Sequence, residues 1–425
     1  MQTSSYSHAF LVGSLNGRMK PSQLEADPQW GEAQKIPFDG MAGYANLCSI
    51  YYKGHVDAML QAEGQDRPRF LSCVSHYVHR VAADAQQVPL STVSVRDGNT
   101  VVQHLDGYQL RICAIHLYFF PLDTILFALE IDDTGSELND LTMGHFLLAN
   151  WCWEGGMCFH DNTRNALSNV LSPLVPYLKD ELLKNLIGGG NKMKLFQVIQ
   201  LETSAVADDT LYELATSSRI GSVNGDTWLT PSEQYYQKII DNNIVSAFNS
   251  WKGLALMDSF TVLGTHNGIR PEAWTNLYFP LIYLRAVFEK TFCFSRNNAY
   301  REDRAKSNLA SEIALMEKYY FYDNISYNFL PNMLYQAMAK GLGIKEEREE
   351  LSKQVKEKED TNNSLIMAAI SVFAIFSVAF DFYSLMKAWI APDDSDLPMF
   401  ALGVSALSFL GTITVVLYLT SLRRR

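Results

Sequence analysis

Two uncharged apolar runs near the C-terminus constrain this chain more than any other feature of it. Ser364–Phe380 reads SLIMAAISVFAIFSVAF, the apolar pattern continues past Asp381 to Met386, and Leu397–Leu419 is a second run without charge. Each is about 20 residues or longer, enough at ~1.5 Å per residue to cross a ~30 Å hydrocarbon core. Lys345, Arg348, Lys353, Lys356 and Lys358 precede the first run, and Arg423, Arg424 and Arg425 follow the second. The short connection Ala391–Asp396, APDDSD, has no positive charge. The positive-inside bias then puts both chain ends in the cytosol and the acidic loop outside. The expected fold class is an α/β cytosolic domain followed by a long-helix stalk and two C-terminal transmembrane helices. The expected location is the inner (cytoplasmic) membrane, as a multi-pass protein.

The rest of the chain has the makings of a large core. Its 425 residues are 48% hydrophobic and 19% charged, which excludes disorder as the default state. A net charge of -11 without a strongly basic stretch in the soluble part argues against direct nucleic-acid binding through phosphates. Six scattered cysteines (Cys48, Cys73, Cys113, Cys152, Cys158, Cys293) do not form a disulfide framework and suit a reducing cytosol. The opening MQTSSYSHAF lacks the basic and apolar regions of a signal peptide.

The first half reads as α/β. Strands are expected at 10–15, 69–78, 92–96, 101–104, 109–119 and 124–131, with an antiparallel meander from Ser91 to Asp132 and turns at Asp97-Gly98-Asn99 and Asp106-Gly107. A helix is expected from Ser136 to Trp151. Another, kinked or split near Pro173 and Pro176, should run from Asn165 to Leu186 and stop at Gly188-Gly189-Gly190. That triple glycine follows a helix and lacks phosphate-loop spacing. A strand at 194–201 closes this half. From Thr230 onward helices dominate, interrupted by a strand-like stretch at 254–263. Pro231, Ser232 and Glu233 open the first helix; later ones are expected at 271–294, with a kink at Pro280, at 301–322 and at 330–340. No Gly or Pro occurs between Ile344 and Ala391, so a single helix about 60 Å long is expected there. The expected organisation is an α/β domain over 1–229, its helical part over 230–343, a stalk over 344–363, a first span over 364–386, an outer loop over 387–396, a second span over 397–422 and a basic tail over 423–425.

Few residues offer chemistry. On a helix Ile370, Ala374, Ser377, Asp381 and Ser384 share one stripe, which would face a water-filled axis. The alternative is that Asp381 lies near the outer interface and reaches water there. Asp393, Asp394 and Asp396 would concentrate cations at an outer mouth if repeated around an oligomer, or be solvated loop residues in a single copy. Arg423, Arg424 and Arg425 would ring the inner end, bind anionic lipid, or simply stop membrane insertion. Ala401, Ser405, Ser408 and Gly411 would let helices approach closely. Cys152, Cys158 and His160 do not have zinc-ligand spacing, and core cysteines account for them. No phosphate-loop, GxSxG, HExxH or DFG motif is present, and a non-enzymatic role without a required cofactor is expected.

The order of parts resembles the CorA family of divalent-cation transporters. The residues behind the resemblance are Asp323–Pro331, DNISYNFLP, and Glu346–Phe376, EEREELSKQVKEKEDTNNSLIMAAISVFAIF. It extends over 301–425 and is only architectural upstream. Family transporters end their first span with Gly-Met-Asn, whereas this chain has Lys387-Ala388-Trp389 in the corresponding place, so no filter residue is transferred. The resemblance implies a homo-oligomer, pentameric by family expectation, with long helices around a central pore. Loss of the filter beside a large cytosolic domain is similar to the CorA-like membrane effectors of type III CRISPR antiviral defence, which implies gating by a nucleotide second messenger joining S-adenosylmethionine to AMP. Three expectations follow: a ligand-gated channel effector, a divergent magnesium or other divalent-cation transporter, and a membrane-anchored ligand-binding module without a pore.

Overall fold

The structure, a computed structural model, describes residues 3–15, 19–32, 75–96, 99–149, 158–159, 161–177, 193–225, 230–302 and 309–390. It divides into two compact units, Met1–Cys293 with Tyr319–Lys345, and Phe294–Lys318 with Glu346–Arg425.

The first unit is organised by an eleven-stranded sheet. In chain order the elements are β1 (Tyr6–Leu15), α1 (Pro21–Glu25), β2 (Gly31–Glu32), β3 (Ser75–Arg80), β4 (Gln87–Arg96), β5 (Asn99–Phe120) and β6 (Thr124–Asp132). There follow α2 (Leu138–Ala149), β7 (Cys158–Phe159), α3 (Asp161–Leu171) with a 3-10 turn over Ser172–Tyr177, β8 (Lys194–Gln200) and α4 (Asp208–Thr216). After α5 (Glu233–Asn243) come β9 (Ile244–Phe248), β10 (Trp251–Ala255) and β11 (Ser259–Gly264). A helical turn at Pro271–Ala273 leads into a π-helix, Trp274–Tyr283, and then α6 (Leu284–Arg301), α7 (Leu309–Tyr319), α8 (Phe329–Gly341) and α9 (Ile344–Ile390).

The strands run in the order β2-β3-β5-β6-β1-β8-β11-β10-β9, with β4 paired to β5 and β7 to β4. The β8·β11 pair is parallel and the other described pairs are antiparallel. Alternation along each strand sends side chains to two covered faces. On one face Leu11, Ile115, Leu117, Phe127 and Leu129 pack with Leu167, Val170 and Leu171 of α3. Gly13 is required there, because a Cβ would stand 2.5 Å from the ring of its cross-strand partner Phe127. On the opposite face Phe279 of the π-helix stacks on Phe10 at 3.8 Å between ring centroids, and Phe288 of α6 on Phe120 at 4.4 Å.

Several sequence expectations change in detail. Asp106-Gly107 lies within β5, where the register with β4 shifts between Pro89 and Ser91; the extra residues make a bulge rather than a turn. The stretch 254–263 is two antiparallel strands, β10 and β11, joined at Leu256–Asp258. The helix expected over 271–294 is interrupted by the π-helix around Pro280, whose ring would crowd the carbonyl four residues back in an α-helical turn. The stretches 69–74, 178–192 and 303–308 lie outside the described residues.

The larger correction concerns the membrane. Among the described residues no helix is long and apolar enough to cross one. This overturns the expected fold class with two transmembrane helices, the first span at 364–386, the channel and the multi-pass inner-membrane location. The second expected span, 397–422, lies outside the described residues. In their place stand a large mixed sheet with covering helices and, within the second unit, the 47-residue helix α9. That second unit is held by Arg296 Nε to Glu312 Oε2 at 2.7 Å and by Asn297 Nδ2 donating to the Glu347 carboxylate at 2.7 Å.

Candidate functional site

On the face of the sheet beneath the π-helix, four adjacent strands each place an ionisable side chain in one row. His8 comes from β1, His76 from β3, His116 from β5 and Glu130 from β6. The antiparallel registers bring them together: Phe10 lies opposite Glu130, Ala114 opposite Glu130 on its other side, and Val78 opposite His116.

The result is a connected row. His116 Nε2 is 2.9 Å from Glu130 Oε2, His8 Nε2 is 3.1 Å from Glu130 Oε1, and His76 Nε2 is 3.0 Å from His116 Nδ1. The side chains of His8, Glu130 and His116 are 15%, 23% and 12% exposed, so the row is sheltered and partly open, most at Glu130. Rings wall it. His76 stacks on Tyr118 at 4.2 Å, Phe10 meets His8 edge-on at 5.2 Å, and Tyr6 lies parallel to His8 at 6.2 Å.

Electrostatics follow from this geometry. Burial pushes the Glu130 carboxyl up, but hydrogen bonding and charge from His116 and His8 outweigh it and hold the group well below the usual carboxylate range. Glu130 is therefore an acceptor only, and the His116 Nε2–H must donate to it. In the contact with His76, a neutral His116 accepts at Nδ1 from His76 Nε2–H, and a cationic one donates from Nδ1–H instead. Burial, followed by the neighbouring His116, pulls His76 well below the ordinary imidazole value. Burial and the carboxylates of Glu272, Asp132 and Glu130 push the Tyr6 hydroxyl up, and Thr275 of the π-helix hydrogen-bonds with it. The site can thus hold an ionised carboxylate beside aromatic faces and pass a proton along imidazoles. Among the described residues no group of three or more His, Cys, Asp or Glu side chains could hold a metal ion.

The opposite face has a second polar centre that is fully enclosed. His145 of α2 lies with Nε2 3.2 Å from Asp133 Oδ2 and Nδ1 3.1 Å from Gln197 Oε1. Gln197 Nε2 donates to Leu214 O at 2.9 Å and Thr261 Oγ1 at 2.7 Å. With every polar end matched and no opening to solvent, this network acts as an internal tie between sheet, α2 and α4.

Ile370 and Ala374 are on α9, half-buried and exposed respectively. Ser377, Asp381 and Ser384 belong to the same helix, but their side chains lie outside what is described, as do Asp393, Asp394, Asp396 and Arg423, Arg424 and Arg425 altogether. The imidazole–carboxylate row is a site that sequence reasoning missed. Its available signal was polarity out of place: His116 in RICAIHLYFF and Glu130 in LFALEID interrupt strands that are otherwise apolar. Compared with known proteins, the chain has no counterpart: no family model, no curated protein and no solved structure matches it.

Proposed function

We propose that this chain is a non-enzymatic, ligand-responsive effector that works as a homo-oligomer. Its sheet unit binds a small ligand at the His8, His116 and Glu130 row, and a nucleotide second messenger of the kind implied by the CorA-like resemblance is the ligand class to test first. The observation behind this reading is Glu130, an ionised carboxylate between two imidazoles, partly open and walled by aromatic rings. A carboxylate acceptor beside aromatic faces suits hydrogen bonding to an amino-substituted base that also stacks.

A route for the signal exists within the same unit. Thr275 and Phe279 of the π-helix touch Tyr6 and Phe10 beside the row. The π-helix continues directly into α6, where buried Arg285 donates to Glu289 at 2.9 Å and to the Tyr320 carbonyl. Tyr335 of α8 donates to the same Glu289 at 2.7 Å. A ligand that favours one position of the π-helix thereby biases α6 and α8, provided its affinity differs between the two positions. π-helical turns, being strained relative to α-helix, are common at such functional points.

Homo-oligomer formation is supported by α9. Val372, Ile375, Phe376, Val378, Phe382 and Tyr383 are all exposed on it. A helix with large apolar side chains at successive exposed positions associates, and further copies of the same helix are the proposed cover.

The test is equilibrium titration of the purified full chain with a panel of nucleotide second messengers, including the S-adenosylmethionine–AMP conjugate. Saturable binding is expected, weakened about tenfold in Glu130→Gln through loss of a charge-assisted hydrogen bond. Absence of binding across the panel, or equal affinity in the variant, would remove the reading.

A further inference from the structure

We infer that the imidazole row is a proton-sensitive latch on the ligand site, in which a second proton taken up by the His76–His116 pair parts β3 from β5. The inference deepens the proposed function by naming how that site is regulated, and it rests on that reading only for its biological use.

The argument is one of donors and acceptors. His116 Nε2–H is committed to ionised Glu130 at 2.9 Å, which leaves one nitrogen, Nδ1, facing His76 Nε2 at 3.0 Å. A contact this short needs one donor and one acceptor. With no added proton, His76 Nε2–H donates to His116 Nδ1. With one added proton, His116 Nδ1–H donates and His76 shifts to its other tautomer with Nδ1–H. With a second, both facing nitrogens bear hydrogens and both rings are cationic. The contact then becomes repulsive in charge and in geometry.

The surroundings determine where the strain goes. From β6, Glu130 and Asp132 face the row; Asp132 is already engaged by Arg111 at 3.2 Å. From β1 come His8, which competes for the same Glu130 carboxylate, and Tyr6. Tyr118 of β5 stacks on His76, and Glu272 approaches from the helical turn before the π-helix. Among the described residues the charges that act on His76 are those of His116 and, through space, Glu130, and no other carboxylate acts on it. Burial accordingly resists its charging. Of the two strands, β5 pairs with β3, β4 and β6 over long registers, whereas β3 is six residues long and, among the described residues, pairs on its outer side with the two-residue β2. β3 is the element that yields. Its departure removes the His76 wall and uncovers Glu130.

Hydrogen–deuterium exchange of the full chain at pH 7.5 and pH 5.0, corrected for intrinsic rates, tests this. In the wild type, protection of the β3 peptide spanning Ser75–Arg80 should fall at least tenfold at the lower pH while β1, β6 and β8 stay protected. In His76→Gln, whose amide can donate or accept towards His116 without charging, β3 protection should be independent of pH. Unchanged β3 protection in the wild type, an equal loss in His76→Gln, or simultaneous loss across all strands would each overturn the latch. Nucleotide titration at pH 7.5 separates the two readings. Binding without β3 opening leaves the effector and removes the latch; β3 opening without any nucleotide binding does the reverse.

Discussion

Glu130 ties the site to stability through its own ionisation. Its carboxyl is held below the ordinary value of ~4.3, so its interactions stabilise the folded state fully above that pH. The contribution is lost as pH falls through the ordinary value toward the depressed one, because the unfolded chain takes up the proton first. Thermal melts between pH 7 and pH 3 should therefore show a fall below about pH 4.3 that is absent in Glu130→Gln. An identical acid profile in the variant would mean that Glu130 is not ionised in the fold. Cys113, on β5 beside the row, behaves in the opposite sense: burial, then Asp132 and Glu130, push its thiol up to about 11 against the pull of Arg111. At pH 8 it is a protonated, poorly nucleophilic thiol. Mass mapping of iodoacetamide labelling should find the Cys113 peptide slow to react and several-fold faster in Asp132→Asn, which removes a carboxylate and frees Arg111.

At the scale of elements, the enclosed His145 network explains how α2 and α4 are fixed to the sheet. Truncation to His145→Ala removes the imidazole that Asp133 Oδ2 and Gln197 Oε1 face, and taking one hydrogen-bond partner from a buried polar group costs about 1–3 kcal/mol. Chemical denaturation should show that loss with the denaturant slope unchanged; a change below 1 kcal/mol would mean that water enters and satisfies the orphaned groups. Elements whose cause is local were legible in sequence. The apolar runs of β1, β6 and β8 stand out, and Ser232 accepts from Tyr235 N as the cap of α5. Those whose cause is tertiary were not. The β10–β11 hairpin has Leu256, Met257 and Asp258 in its turn instead of a glycine signal, and the π-helix keeps an apolar spacing that reads as ordinary helix. The row was hidden for a stronger reason: its members are up to 122 positions apart, between His8 and Glu130, and only the strand order β3-β5-β6-β1 makes them neighbours.

For the whole molecule, composition proved a poor guide to environment. The apolar run after Ser364 was read as a membrane span, yet what the structure describes is a stretch of α9 with Ile375 and Phe376 68% and 69% exposed. Apolar side chains at that density are not stable against water, and the proposed homo-oligomer covers them with copies of the same helix. Charge supports register in such an assembly: the first turns of α9 carry Lys345, Glu346, Glu347 and Arg348, and Lys353 reaches Glu357 at 3.9 Å, so charged side chains flank the apolar part that packs. Light scattering of the full chain should then give a mass several times 47.9 kDa. Ile375→Lys with Phe376→Lys, both far from the sheet unit's row in sequence, should shift the mass toward a single chain while nucleotide affinity at Glu130 is retained. A wild-type monomer would remove the oligomer. A double variant that keeps its mass would place the contact on another surface, because two lysines facing their own copies cannot remain buried without counter-ions.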